Sequence, residues 1–369
     1  MITVLVYYDR ISLFHTLTPF FLKKYRDFFH FTQSVDYCLR RDRNKVLWLE
    51  RQFQHSDPRD LEKDDVAVLR KLRDKYEKII FLNGKPEAGT NRLDVLPFVD
   101  RFFDKSVFSN YDHYKEELYG KNLFADYYHR KYGATDSKEY IFKKNIDETA
   151  IKRIELSWNI GVGVYPRWNR RQRIGAAIAR ADFPGVGRLF NAARKPPSDF
   201  SSSKRSVPVH ARFVPVFCPS IAYQRTLFLE KIKTFEGAER KKSGPLFLTG
   251  MARQKQYYHE LTDSKIVLSP FGWGEVCHRD FEAIMAGALL LKPDMSHLKT
   301  YPDVYLPNET YVPVDWDGDD LFEKVKYYLA NEKERSRIAR NAYEQYEKDL
   351  SSLEERFMSL FGSLFDFKT

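Results

Sequence analysis

Cysteine is scarce in this chain, with three in 369 residues, at positions 38, 218 and 277. Widely spaced and odd in number, they build neither a disulfide framework nor a zinc pattern, and Cys277 reads as a small packing residue. Long apolar runs are missing too: no stretch approaches the roughly 18 uninterrupted apolar residues of a membrane-spanning helix. The opening MITVLVYYDR reads as a buried strand rather than a signal peptide. These absences lead us to expect a soluble, cytoplasmic protein. No recognised nucleic-acid motif and no interleaving of aromatic with basic residues occurs, so nucleic acid is not expected as a partner. His278 and His297 lie too far apart for metal-ligand spacing, and no metal site is expected. Apolar residues are plentiful, at 43% hydrophobic and 15% aromatic, enough for a real core and for two domains.

The formal net charge of +10 is unevenly spread. Residues 163–212 hold eleven Lys and Arg against two acids, a surplus of nine. The same region contains ADFPGVGR, KPP and SDFSSSK, breaker-rich sequence of the kind that separates domains. Ile174, Ala177, Ile178 and Ala181 recur there at helical spacing beside arginines. That pattern suits a basic amphipathic helix on an anionic membrane surface, and equally a solvated basic linker.

On either side of this segment, short apolar runs alternate with helical patterns. ITVLVYY, KVLWLE, KIIFLN and RIELSW read as strands in the first half, with DDVAVLRKLRDKYEK helical between them. In the second half VPVHARF, PLFLTG, SKIVLS, ALLLK and TYVPVDW alternate with IAYQRTLFLEKIKTF, QKQYYHEL, CHRDFEAIMAG and a long helical stretch from Asp319. Such alternation predicts an α/β chain of two doubly wound parallel sheets facing a cleft. The expected division is 1–165, a basic segment 166–206, a second domain 207–348, and a terminal helix 349–369 packing back on the first domain.

The run SPFGWGEVCHRDFEAIMAGALLLKPD, residues 269–294, carries the most chemistry. A strand leads into a glycine-bracketed turn with Trp273 and Glu275, then into a helix start. A helix N-terminus at the carboxyl end of a parallel strand suits a phosphate or diphosphate, and Gly272 and Gly274 would let backbone approach it. An ordinary βαβ unit without ligand has the same pattern.

This run, continued by SHLKTYPDVYLPNETYVPVDWDGDDL, resembles the donor-binding half of GT-B glycosyltransferases, chiefly the group 1 transferases of bacterial surface-polysaccharide synthesis, including the spore-maturation branch, and more faintly the exostosin type. The resemblance spans residues 245–345. It implies a metal-independent enzyme without cofactor, using a nucleotide-sugar donor and a glycan or glycolipid acceptor. It gives Glu282 the place of the glutamate that accepts from ribose hydroxyls, and Glu275 that of the sugar-contacting glutamate, at a spacing shorter by one residue than the commonest pattern. Arg279, one turn before Glu282, would bring a forked cation to the diphosphate, or pair with a glutamate. Arg212 and Arg225 are further candidates for the leaving group, Thr249 and Gly250 for the nucleobase, and His278 and His297 for the donor.

An inverting transfer needs a base from the first domain. Asp100 and Asp126 are the preferred candidates, ahead of His129 and Asp9, though each could equally cap a helix or lie on the surface. Arg279 completes the catalytic set. The aspartates 315, 317, 319 and 320 precede a helical pattern and read as helix caps rather than metal ligands. The partners expected are therefore a nucleotide-sugar, a glycan or glycolipid, and an anionic membrane surface at 166–206. A binding protein for anionic polymer or membrane on a transferase scaffold is the alternative.

Overall fold

The computed structural model describes residues 1–6, 17–21, 25–50, 53, 63–90, 92–135, 148–163, 165, 174, 200, 204–216, 219–238 and 245–362. Asp9 and nearly all of the basic segment, including Ala177, Ile178 and Ala181 of its helical spacing, lie outside them.

The first domain is built on a sheet of β1 (Ile2–Leu5), β2 (Phe29–Thr32), β3 (Val46–Glu50), β4 (Lys78–Asn83), β5 (Arg101–Asp104) and β7 (Ile154–Leu156), in the order β2-β1-β3-β4-β5-β7. All its pairings are parallel. The helices α1 (Val35–Arg40), α2 (Lys63–Lys75), α3 (Leu123–Tyr132) and α4 (Glu148–Ile151) belong to this half. The central strands β1, β3 and β4 are largely apolar and buried because both faces are covered, as a parallel sheet requires.

The second sheet contains β8 (Val207–Ala211), β9 (Phe247–Thr249), β10 (Ser264–Leu268), β11 (Leu289–Pro293) and β13 (Val312–Val314), in the order β13-β11-β10-β8-β9, again all parallel. Its helices are α5 (Pro219–Ala238), α6 (Gln254–Thr262), α7 (His278–Ala286), α8 (Leu321–Ala330), α9 (Glu332–Ser351) and α10 (Leu353–Phe361). The helical pattern after Asp319 breaks at Asn331, which leaves helical backbone at φ −109°, ψ 75°.

Both sheets reverse their strand order between the first and third strand of the run, at β1/β3 and at β8/β10. The chain therefore has the expected α/β, GT-B-like architecture of two doubly wound sheets. A crevice for ligand opens beyond the carboxyl ends of the strands at such reversals.

Three devices hold the halves together. An antiparallel ribbon pairs β6 (Ser106–Phe108), which continues from β5, with β12 (Leu298–Thr300). One hydrophobic core includes Phe81, Phe102 and Phe124 from the first half with Phe281 and Leu290 from the second. Finally, α10 returns to the first domain, where Phe357 and Phe361 pack among Phe20, Trp48, Phe103 and Trp158. Among the described residues, no helix is long and apolar enough to cross a membrane.

Candidate functional site

β10 ends at Leu268, and the chain turns through Ser269–Gly274 before entering α7. Ser269 and Asp280 are both buried, and the Ser269 hydroxyl donates to the Asp280 carboxylate at 2.5 Å. The same carboxylate accepts from the Cys277 backbone N–H at 2.9 Å and the Tyr305 hydroxyl at 2.7 Å, and pairs with the fully buried Lys292 at 3.1 Å. Asp280 was missed at the sequence level because it reads as an ordinary first-turn acid; the signal available was its place three residues after Cys277, the residue that caps the helix. Its presence changes the expected electrostatics. The start of α7 already faces a carboxylate, so positive charge for a diphosphate must come chiefly from side chains.

Arg279 supplies such a side chain. Its Nη2 donates to the Arg212 carbonyl at 3.3 Å and its guanidinium lies 5.8 Å from the Phe213 ring centroid, just past the end of β8. Its Nε and Nη1 are buried without a hydrogen-bond partner. It is therefore a half-satisfied donor fork at the β8/β10 reversal rather than a member of an ion pair with Glu275 or Glu282. Beneath it lies His210, fully buried, with both ring nitrogens likewise unpartnered. Burial, then the neighbouring Arg279 cation, push the His210 imidazole down to about 4, so it is neutral at pH 7.

One turn along α7, Glu282 is buried and accepts from the Tyr257 and Tyr258 hydroxyls of α6, both at 2.9 Å. These tyrosines, absent from the sequence expectation, fix the carboxylate. His278 shares a hydrogen bond of 2.9 Å with Tyr165 instead of facing open space.

The other expected cations act on the protein itself. Arg212 forms a forked pair with Glu260, at 2.9 and 2.8 Å, and also donates to the Thr249 carbonyl. Buried Arg225 donates to the carbonyls of Phe271 at 2.8 Å and Val214 at 3.0 Å, tying two crevice loops together. Both cations are engaged in shaping the crevice. Gly250 takes φ +83°, a left-handed conformation suited to glycine, right after β9.

The glycine turn differs from expectation in what it approaches. A Cβ on Gly274 would lie 2.0 Å from the Pro86 carbonyl oxygen and 2.4 Å from the Glu87 nitrogen, so the close approach is to the first domain's loop after β4. Gly272 would meet the Cys277 sulfur at 2.9 Å. Glu275 is fully buried; its Oε2 accepts from the Ala88 N–H at 3.1 Å and its Oε1 faces His297 Nε2 at 3.5 Å. That residue bridges the domains here. Trp273, on the same turn, is 62% exposed.

The two preferred bases fare differently. Asp100 precedes β5 and accepts from the Ile79 N–H at 2.7 Å and from Arg73 at 2.6 Å, at the amino end of the sheet and away from the seam. A base must lie at the carboxyl end, so the structure removes Asp100 from that role. Asp126 lies on α3, pairs with Arg130 at 2.7 Å and accepts from the Tyr119 N–H at 3.0 Å. His129 stacks on Tyr119 with ring centroids 3.8 Å apart, a packing role. At the carboxyl edge the structure instead gathers Glu50, Asn83, Lys85, Asp104 and Lys105, all buried. Strand ends were read one at a time, so this convergence was not visible in the sequence.

The aspartates before α8 do not cap it through their side chains. Asp317 accepts from Tyr127 and Tyr132, both at 3.1 Å, and pairs with Lys131; Asp319 pairs with Lys231; Asp320, at the cap position, accepts from the Asp315 N–H at 2.9 Å. Lysine and tyrosine partners outcompete the helix end for these carboxylates.

A two-domain α/β protein whose two parallel sheets each reverse their strand order is the class that this fold defines. Residues 224–359 match the family model described as Glycosyl transferase-like. No curated protein matches the sequence. Among solved structures, similarity extends to an alpha-glucosyltransferase in complex with UDP and a 13-mer DNA containing a HMU base, at 11% identity over 98% of both chains with a TM-score of 0.48. It extends also to a UDP-forming alpha,alpha-trehalose-phosphate synthase from Burkholderia xenovorans, at 11% identity over 86% of this chain and 74% of that one, TM-score 0.43. A third, Anabaena HepE in complex with UDP, is 9% identical over 98% and 99%, TM-score 0.44. Because DNA is present in two of the alpha-glucosyltransferase structures, the exclusion of nucleic acid drawn from the sequence is withdrawn.

Proposed function

We propose that this protein is a glycosyltransferase that takes a sugar from a nucleotide-sugar held at the β8/β10 reversal. The observation that carries the reading is the Arg279 fork, whose Nε and Nη1 are buried and unpartnered, one turn from the tyrosine-braced Glu282. A cationic fork suits a diphosphate, and a fixed carboxylate suits vicinal ribose hydroxyls. As the bond to the sugar breaks, the diphosphate gains charge that Arg279 stabilises. The glycosyltransferase-like match over 224–359 spans both residues. The acceptor is a glycan or glycolipid, in the manner of surface-polysaccharide synthesis, and the transfer requires no metal.

Calorimetric titration with UDP, GDP, ADP and CMP tests this reading on wild type, Glu282→Gln and Arg279→Ala. Wild type is expected to bind one nucleotide, and each substitution to weaken it by about 1–3 kcal/mol, the cost of an unmade buried hydrogen bond. Failure of wild type to bind any of the four, or undiminished binding by both variants, overturns it. Release of nucleotide from the matching nucleotide-sugar separates an enzyme from the binding-only alternative.

A further inference from the structure

Away from the β8/β10 crevice, an open groove runs along α3. It is lined by Leu123, Asp126, Tyr127, Arg130 and Lys131 of that helix and, across the domain seam, by Trp316. The spacing of the five helical residues puts them on one face. Tyr127 and Trp316 meet nearly at right angles, 82° between ring planes at 5.2 Å, and form an aromatic corner. Along the edge, the polar groups are held in pairs: Asp126 with Arg130 at 2.7 Å, and Lys131 with Asp317, which also takes the Tyr127 hydroxyl.

The groove is continuous with the seam. The Trp316 ring packs against His297 at 5.0 Å, and His297 faces the unsatisfied Oε1 of Glu275 at 3.5 Å. The Trp316 Nε1 is anchored on the Asp294 carbonyl at 2.9 Å, which fixes the plane of the indole.

We infer that this groove is a subsite for a neutral sugar chain. A pyranose ring presents apolar C–H faces and a rim of hydroxyls that both donate and accept. An aromatic corner takes the faces, and fixed carboxylate–cation pairs take the rim, each pair offering acceptors and donors side by side. The two acids and two cations of the groove cancel. A phosphodiester chain needs surplus positive charge, so charge favours the uncharged chain at this place. The inference rests on the transferase reading for one point only, that the bound chain is the acceptor.

Ligand-observed NMR on the full chain, with maltohexaose, cellohexaose, chitohexaose and a short single-stranded DNA as probes, tests the subsite. At least one hexasaccharide is expected to bind wild type. Tyr127→Ala and Arg130→Ala should each weaken it by about fivefold, while Tyr127→Phe, which keeps the ring, retains it. Cooperative unfolding of each variant is checked alongside. No hexasaccharide binding, binding indifferent to both alanine variants, or DNA binding that depends on Tyr127 and Arg130 in place of sugar overturns the inference. UDP binding by wild type and its loss in Glu282→Gln report separately on the donor site.

Discussion

At the carboxyl end of β5 the Asp104 carboxyl is 1% exposed, held by Asn83 Nδ2 at 3.1 Å and the Lys105 N–H at 2.8 Å. Burial outweighs those hydrogen bonds and pushes it up from 3.8 to about 7. A carboxyl raised in the folded state binds its proton more tightly there than in the unfolded chain. Its stabilising contribution is thus complete below about pH 4 and is lost as pH rises through 7. Chemical denaturation of wild type and Asp104→Asn at pH 5 and pH 8 measures this. The variant should gain on wild type between the two pH values, by up to roughly 2.7 kcal/mol. A difference that stays constant with pH rules out the raised carboxyl. Asp100, singled out from the sequence, is on the other end of the same short strand. Residue type was legible, but only strand direction and the neighbours β4 and β7 distinguish the end that faces the seam.

Among the elements, the turn between β10 and α7 sets the spacing of the domains. A Cβ on Gly274 would overlap the Pro86 carbonyl, so Gly274→Ala must push the two loops apart. A loss of about 1–3 kcal/mol is expected from such overpacking. Thermal unfolding and amide exchange should show it, with exchange faster at Ala88, whose N–H is bonded to Glu275. Unchanged exchange there would place the strain elsewhere. The strands β1, β3, β4, β7, β8, β9, β10, β11 and β13 were legible because each is a run of apolar or β-branched residues. β2, β5 and the β6–β12 ribbon were not: His30, Arg101, Asp104 and Lys299 interrupt their short apolar runs, and the ribbon is made by tertiary pairing. At the site, Glu282 was placed by the family resemblance and Arg279 by lying one helical turn before it. Tyr257, Tyr258 and His210 could not, since they reach Glu282 and Arg279 only once α6 and β8 lie beside α7.

At the scale of the whole molecule, α10 couples the chain's end to its beginning. Phe357 stacks on Tyr25 at 5.1 Å and meets Phe20 edge-on at 5.8 Å, while Phe361 lies 4.6 Å from Trp48. Phe357→Ala is expected to cost about 3–5 kcal/mol, the range for a deleted core aromatic. The damage should fall on the first sheet, so amide exchange should quicken in β1 and β3 before β8–β11. Equal quickening in both sheets would contradict the packing described. The place of that helix after both sheets in chain order has a consequence for biosynthesis. A ribosome makes residues 353–361 after the strands of both sheets, so the first sheet emerges long before the aromatic side chains that complete its interior. During that interval Phe20, Trp48 and Trp158 remain available to chaperones, and the first domain can close only after the second has been translated.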